Sequence, residues 1–135
     1  MRTKFELSLD DAKRIAAAAA QEARSNGWSV VIAIVDDGGT LVYLERIDGT
    51  QPASSDIAQH KARAAALFRR PTKTLEEIIA GGRVAMLSLP HITPVEGGEP
   101  LVYRGEIVGA IGVSGVQSFQ DGQVARAGAQ ALADT

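Results

Sequence analysis

The 135-residue chain reads as an α/β domain of the α+β kind, a mainly antiparallel sheet covered by helices, on three observations. Helical and strand-like periodicities fall in blocks, in the order helix, hairpin, helices, meander and helix. The strand-like segments are joined by short stretches of turn chemistry, too short for the crossover that a parallel pair requires. The composition, 45% apolar and 22% charged, is that of a globular chain with enough apolar surface for one core. One domain spanning residues 1–135 is therefore expected.

The first helix is expected from Ser8 to Ser25, because Ser8 can cap it, Asp11 can answer three residues later, and Ala12, Ile15, Ala16, Ala19 and Ala23 recur on one face. Asn26 and Gly27 stop it. Its richness in alanine predicts a close neighbour, either within the chain or in a second subunit. Ser29 to Val35 is β-branched and apolar throughout, as a strand buried on both faces would be. The Asp37, Gly38, Gly39 cluster turns the chain into a return strand at Leu41 to Arg46, which Asp48 and Gly49 end.

A second helix fits Ser54 to Arg69, with Pro71 as its stop, and Thr74 with Glu77 predicts a capped short helix from Leu75 to Ala80. Ala85 to Leu89 carries a weak strand signal. Pro94 to Pro100 reads as a loop, Leu101 to Tyr103 as a strand, Arg104 and Gly105 as a tight turn, and Ile107 to Val113 as a strand. Ser118 and Asp121 are expected to open a last helix that runs through Ala133.

Composition excludes several functions. With 14 basic and 16 acidic side chains the net charge is -2, and the basic residues are not clustered as a phosphate backbone requires. The aromatics Phe5, Trp28, Tyr43, Phe68, Tyr103 and Phe119 are scattered through the chain rather than grouped as a base-stacking platform. Nucleic acid is not an expected partner. The chain holds no cysteine, which removes disulfides, thiolate metal sites and thiol nucleophiles and fits a reducing, cytoplasmic setting. No apolar segment reads as a secretory signal or a membrane span.

The candidate chemistry lies in three places. His60 and His91 belong to no metal-ligand spacing, so no metal site is expected, but His60 adjoins Lys61 near the turn where Arg46 and Asp48 leave the hairpin. Asp36 and Asp37 fit turn formation better than a catalytic pair, because neighbouring strand residues point to opposite faces. Glu76 and Glu77 read as first-turn charges that complement a helix dipole. Ser114 in GVSGV lacks the GxSxG spacing of a nucleophile elbow. The glycines from Gly97 to Gly115 permit close backbone approach, and exposed amides among them could hold an anion. Neither a P-loop nor a dinucleotide fingerprint is present.

Three segments taken together, VVIAIVDDGGTLVYLERIDG, DIAQHKARAAALFRRPT and EGGEPLVYRGEIVGAIGVSGVQSFQD, resemble the haem-degrading-domain family that includes GlcG, HbpS and the C-terminal domain of PduO. The resemblance covers nearly the whole chain and rests on Asp36, Gly39, Arg46, Asp48, Lys61, Gly97, Gly98, Pro100, Gly105, Gly109, Gly112, Ser114, Gly115 and Asp121 in order. One departure is Ala64, in a segment where the family often carries a threonine. The resemblance implies a profilin-like or PAS-like fold with a five-stranded antiparallel sheet, and assembly into dimers, tetramers or octamers.

For function it implies a homo-oligomeric domain that binds a small molecule, with haem or a related tetrapyrrole as the cofactor. On that reading His60 is the axial ligand, and Gly97, Gly98, Pro100 and Ser114 border the site. The alternative is an enzyme acting on a small unsaturated or imino carboxylic acid by hydrolysis, deamination or tautomerisation. There Arg46 or Lys61 would hold the anion, and Asp48 or Glu99 would move protons.

Overall fold

A computed structural model describes residues 1–135. Helix α1 spans Leu9–Ser25, and its capping box forms as expected: Ser8 Oγ accepts the Asp11 N–H at 3.1 Å while Asp11 accepts the Ser8 N–H at 3.3 Å. Its Ala12, Ile15, Ala16, Ala19 and Ala23 are all buried, against helix α4 (Ser118–Ala133) and the sheet. The alanine stripe therefore serves packing inside this chain.

Strands β1 (Val31–Asp36) and β2 (Leu41–Arg46) form the expected hairpin, and Asp36 makes its turn by accepting the N–H groups of Gly38 and Thr40, both at 2.9 Å. Strands β3 (Gly98–Tyr103) and β4 (Glu106–Ser114) are joined by Arg104 and Gly105, both at positive φ. The sheet is fully antiparallel in the order β2-β1-β4-β3.

It has four strands, not five. Val84–Ser88, where a strand was expected over Ala85 to Leu89, is a 3₁₀ turn whose bonds are local: Ser88 Oγ donates to the Ala85 carbonyl at 2.7 Å and Met86 N–H to the Arg83 carbonyl at 3.2 Å. Met86 packs with Ala64 and Leu75, so the segment buries its apolar residue without a strand partner.

Alternation in β1 divides the core. Val30, Ile32 and Ile34 face α1 and α4 together with Leu101, Ile111 and Val113. Val31, Ala33 and Val35 face helix α2 (Ser54–Leu67) with Ala110. The α2 side of this interface is Ala58, Ala62, Ala65 and Ala66, and Gly112 of β4 lies under it. A Cβ on Gly112 would collide with the Ala58 carbonyl, so only glycine allows this spacing.

Several boundaries differ from expectation for identifiable reasons. Helix α2 ends at Leu67 because Arg69 turns left-handed (φ 56) and the Arg70 N–H reaches back to the Ala65 carbonyl at 3.3 Å. Helix α3 spans Thr72–Ala80, starting directly after Pro71, so Thr74 and Glu77 form no cap and Glu76 and Glu77 lie beyond its first turn. Gly98 to Pro100 belong to β3 rather than to a loop. Helix α4 is capped by Gln117 with Gln120, which frees Asp121 for another task. No helix is long and apolar enough to cross a membrane.

Candidate functional site

Helix α2 carries two chemically different faces, and the residues predicted for a site divide between them. Lys61 points inward and is 2% exposed. Its Nζ donates to the Val113 carbonyl at 3.0 Å and to Asp121 Oδ2 at 3.1 Å, and Asp121 Oδ1 accepts the Val116 N–H at 3.1 Å. Gly97 roofs this pair: with φ 134 and no side chain, its Cα region stands where a Cβ would lie 2.8 Å from Lys61 Nζ. Gly98 packs on the Lys61 carbonyl and donates its N–H to Thr72 Oγ1 at 2.8 Å.

The network continues outward through acids that flank the two glycines. Glu96 accepts from Arg126 Nη1 at 3.1 Å, and Glu99 Oε1 lies 3.6 Å from the same nitrogen. The Glu96 N–H donates to Glu76 Oε1 at 3.0 Å, so Glu76 ties α3 to the loop. Gly122 has no side chain to obstruct the Glu96 carboxylate. Burial pushes the Glu99 carboxyl above its ordinary range, opposed by Arg126 and assisted by Glu96. Burial likewise raises Asp121, opposed chiefly by Lys61. Lys61 with Asp121, and Arg126 with Glu96 and Glu99, are thus two neighbouring acid and base groups, and the Glu96 charge is felt at Asp121. No buried side-chain polar atom in the chain lacks a partner.

The outward face of α2 differs. His60 is exposed, and it lines a cleft of about 380 Å³ with Arg63, Asp56, Gln59 and the Gly38–Leu41 turn. His60 and Arg63 also wall a second cleft of about 190 Å³, completed by His91, Ile92 and Thr93. The two histidines, far apart in the sequence, therefore share one cleft. His91 adopts a left-handed backbone (φ 64), which for a non-glycine residue is uncommon. No group of three His, Asp or Glu side chains is placed to hold a metal ion.

Of the other predicted residues, Ser114 is buried and donates to Ser54 Oγ at 3.0 Å. Pro100 lines a separate cleft of about 260 Å³ with Val102, Arg126 and Ala129. Arg46 and Asp48 are exposed at the β2 edge, and neither is in an ion pair. Lys61 lies against Gly97 and Gly98, Glu99 faces Arg126 instead, and Arg46 and Asp48 stand apart from both. Sequence reasoning missed Glu96, Arg126 and Arg63 and read Asp121 as part of a helix cap. The EGGE spacing, which places two acids on either side of the glycines, was the available signal for Glu96.

Comparison with known proteins adds four findings. A family model described as haem degrading protein HbpS-like matches residues 7–130. Protein GlcG of Escherichia coli strain K12 is 50% identical over 114 residues, covering 84% of this chain and 85% of GlcG. Among solved structures, a double mutant of Streptomyces reticuli HbpS superposes with a TM-score of 0.89 at 34% identity, covering 98% of this chain and 90% of that one. The crystal structure of a PduOC:heme complex superposes with a TM-score of 0.84 at 28% identity, covering 94% and 95%.

Proposed function

Because the chain belongs to the HbpS-like family of haem-degrading proteins, we propose that it is a small-ligand-binding domain whose ligand site is the groove on the outer face of α2, with haem or a related tetrapyrrole the first ligand to test. The observation that carries this reading is the exposed His60 imidazole at the junction of two clefts. The polar groups of the lining suit the iron and the acidic edge of such a ligand. Leu41 would supply apolar wall, His60 would ligate the iron, and Arg63 would meet an acidic substituent. Bound haem would bring the chemistry of its iron; the chain's contribution is to orient it and balance its charge. The haem-bound PduOC structure supports the choice of probe.

Hemin titration tests it. A saturable Soret change that is lost or altered in His60→Ala, with an unchanged melting temperature, is expected. A response indifferent to His60 removes the assignment. We propose further that the domain works as a homo-oligomer, between dimer and octamer, in the cytoplasm; light scattering on the purified chain tests the first.

A second reading is favoured by the buried cluster. Lys61 with Asp121, and Glu99 with Arg126, would supply proton-transfer groups for a small unsaturated or imino carboxylic acid. Arg46 and Asp48 drop out of that reading on position. Turnover of such acids that Glu99→Gln abolishes would establish it.

A further inference from the structure

We infer that the smaller cleft, between α2 and residues 91–93, is a binding site for a compact oxyanion, a phosphate or a short dicarboxylate, held by Arg63 with His60, His91 and Thr93. The inference rests on the outer groove being the ligand site and specifies what part of a ligand it takes.

Charge is the first argument. The lining of this cleft is His60, Arg63, His91, Ile92 and Thr93, with no carboxylate among them, in a chain whose net charge is -2. Each of these polar side chains can present an N–H or O–H donor to an oxyanion, and the planar guanidinium can do so in bidentate fashion. The acids of the adjoining hairpin and helix do not line it. Asp36 is turned into its own hairpin, where it accepts two backbone N–H groups, and Asp56 lies in the larger cleft that shares His60 and Arg63, without an ion pair to either.

The second argument is that Arg63 is held yet unpartnered. Its stem lies across the β1–β2 turn, where a Cβ on Gly39 would stand 2.9 Å from Arg63 Cγ, and Gly39 itself has φ 85. The turn is thus shaped to let the side chain pass. Arg14 and Arg126 end on carboxylates, but Arg63 takes part in none of the five ion pairs. Its guanidinium, in a cleft that also holds two histidines, is therefore available to an anion. The third argument is size: about 190 Å³ admits a phosphate or a short dicarboxylate and is too small for most larger metabolites, so only the acidic group of a larger ligand would sit there.

Calorimetric titration of the full chain with inorganic phosphate, succinate and acetate tests this, with the His60 and His91 ring resonances followed by NMR. Phosphate or succinate is expected to bind, to shift both histidines and to exceed acetate. Tighter phosphate identifies a phosphorylated ligand, and tighter succinate a carboxylic one. Arg63→Ala is expected to weaken binding at least about tenfold with no change in melting temperature, and Arg63→Lys to restore part of it. Absence of binding by both dianions, or equal binding by Arg63→Ala, overturns the inference. Hemin separates it from the broader reading. A His60-dependent Soret change without dianion binding leaves haem standing and removes the oxyanion site. Dianion binding without a Soret change does the reverse.

Discussion

Lys61 and Arg63 lie two residues apart on one helix and have opposite fates. Lys61 is sealed between α2, β4 and α4, its charge met by Asp121 and a carbonyl, under a roof that only glycine can form. Arg63 lies on the surface along a turn and forms no ion pair. A buried cation must carry its partner with it, because desolvating a lone charge is too costly. A surface cation is under no such obligation, since water solvates it until a ligand arrives. The inner face of the helix is therefore complete within the chain, and the outer one is open to something else.

The sharpest test of that contrast is removal of the inner cation. Lys61→Ala leaves Asp121 buried without its cation and is expected to cost about 3–5 kcal/mol in chemical denaturation. A loss below about 1 kcal/mol would mean that the pair behaves as a surface one. Gly112→Ala attacks the same face through sterics, pushing α2 off the sheet, with an expected loss of about 1–3 kcal/mol by the same measurement.

Glu99 sits at the border between the two regimes and is read by pH. Burial raises its folded pKa above the ordinary glutamate value, so the native state binds the proton more tightly than the unfolded chain. The wild type thus loses stability as pH rises from the ordinary glutamate range through the raised value. Glu99→Gln lacks this loss: the two proteins should be equally pH-sensitive at that site below the window, and the variant should gain relative stability across it. A constant difference from acid to neutral pH would place Glu99 in water. The smallest effect belongs to the outer face, where His60→Ala and Arg63→Ala should each change stability by no more than about 0.5 kcal/mol in thermal melts. A larger loss from either would erase the distinction between the faces.

Local signals carried most of the fold into the sequence. The Ser8 and Asp11 box, the Asp36 turn and the Leu41–Arg46 strand are decided by residues within a few positions of one another, and all three are found where expected. The failures are long-range. Val84–Ser88 has strand-like residues but finds its hydrogen bonds locally. Asp121 resembles a capping acid, yet its partner is 60 residues away. His60 and His91 meet only because the loop after the 3₁₀ turn folds back onto α2. Family resemblance marked Lys61, Gly97, Gly98 and Asp121 as a set, which their spacing in the chain does not.

Six of the eight buried residues between α2 and the sheet are alanines: Ala33, Ala58, Ala62, Ala65, Ala66 and Ala110. Alanine has no rotamers, so this contact cannot absorb a disturbance by repacking side chains. It can answer only by sliding or tilting the helix as one piece. Because α2 bears Lys61 inside and His60 and Arg63 outside, any shift forced at the buried end becomes a displacement of the groove, and the helix acts as a stiff lever between them.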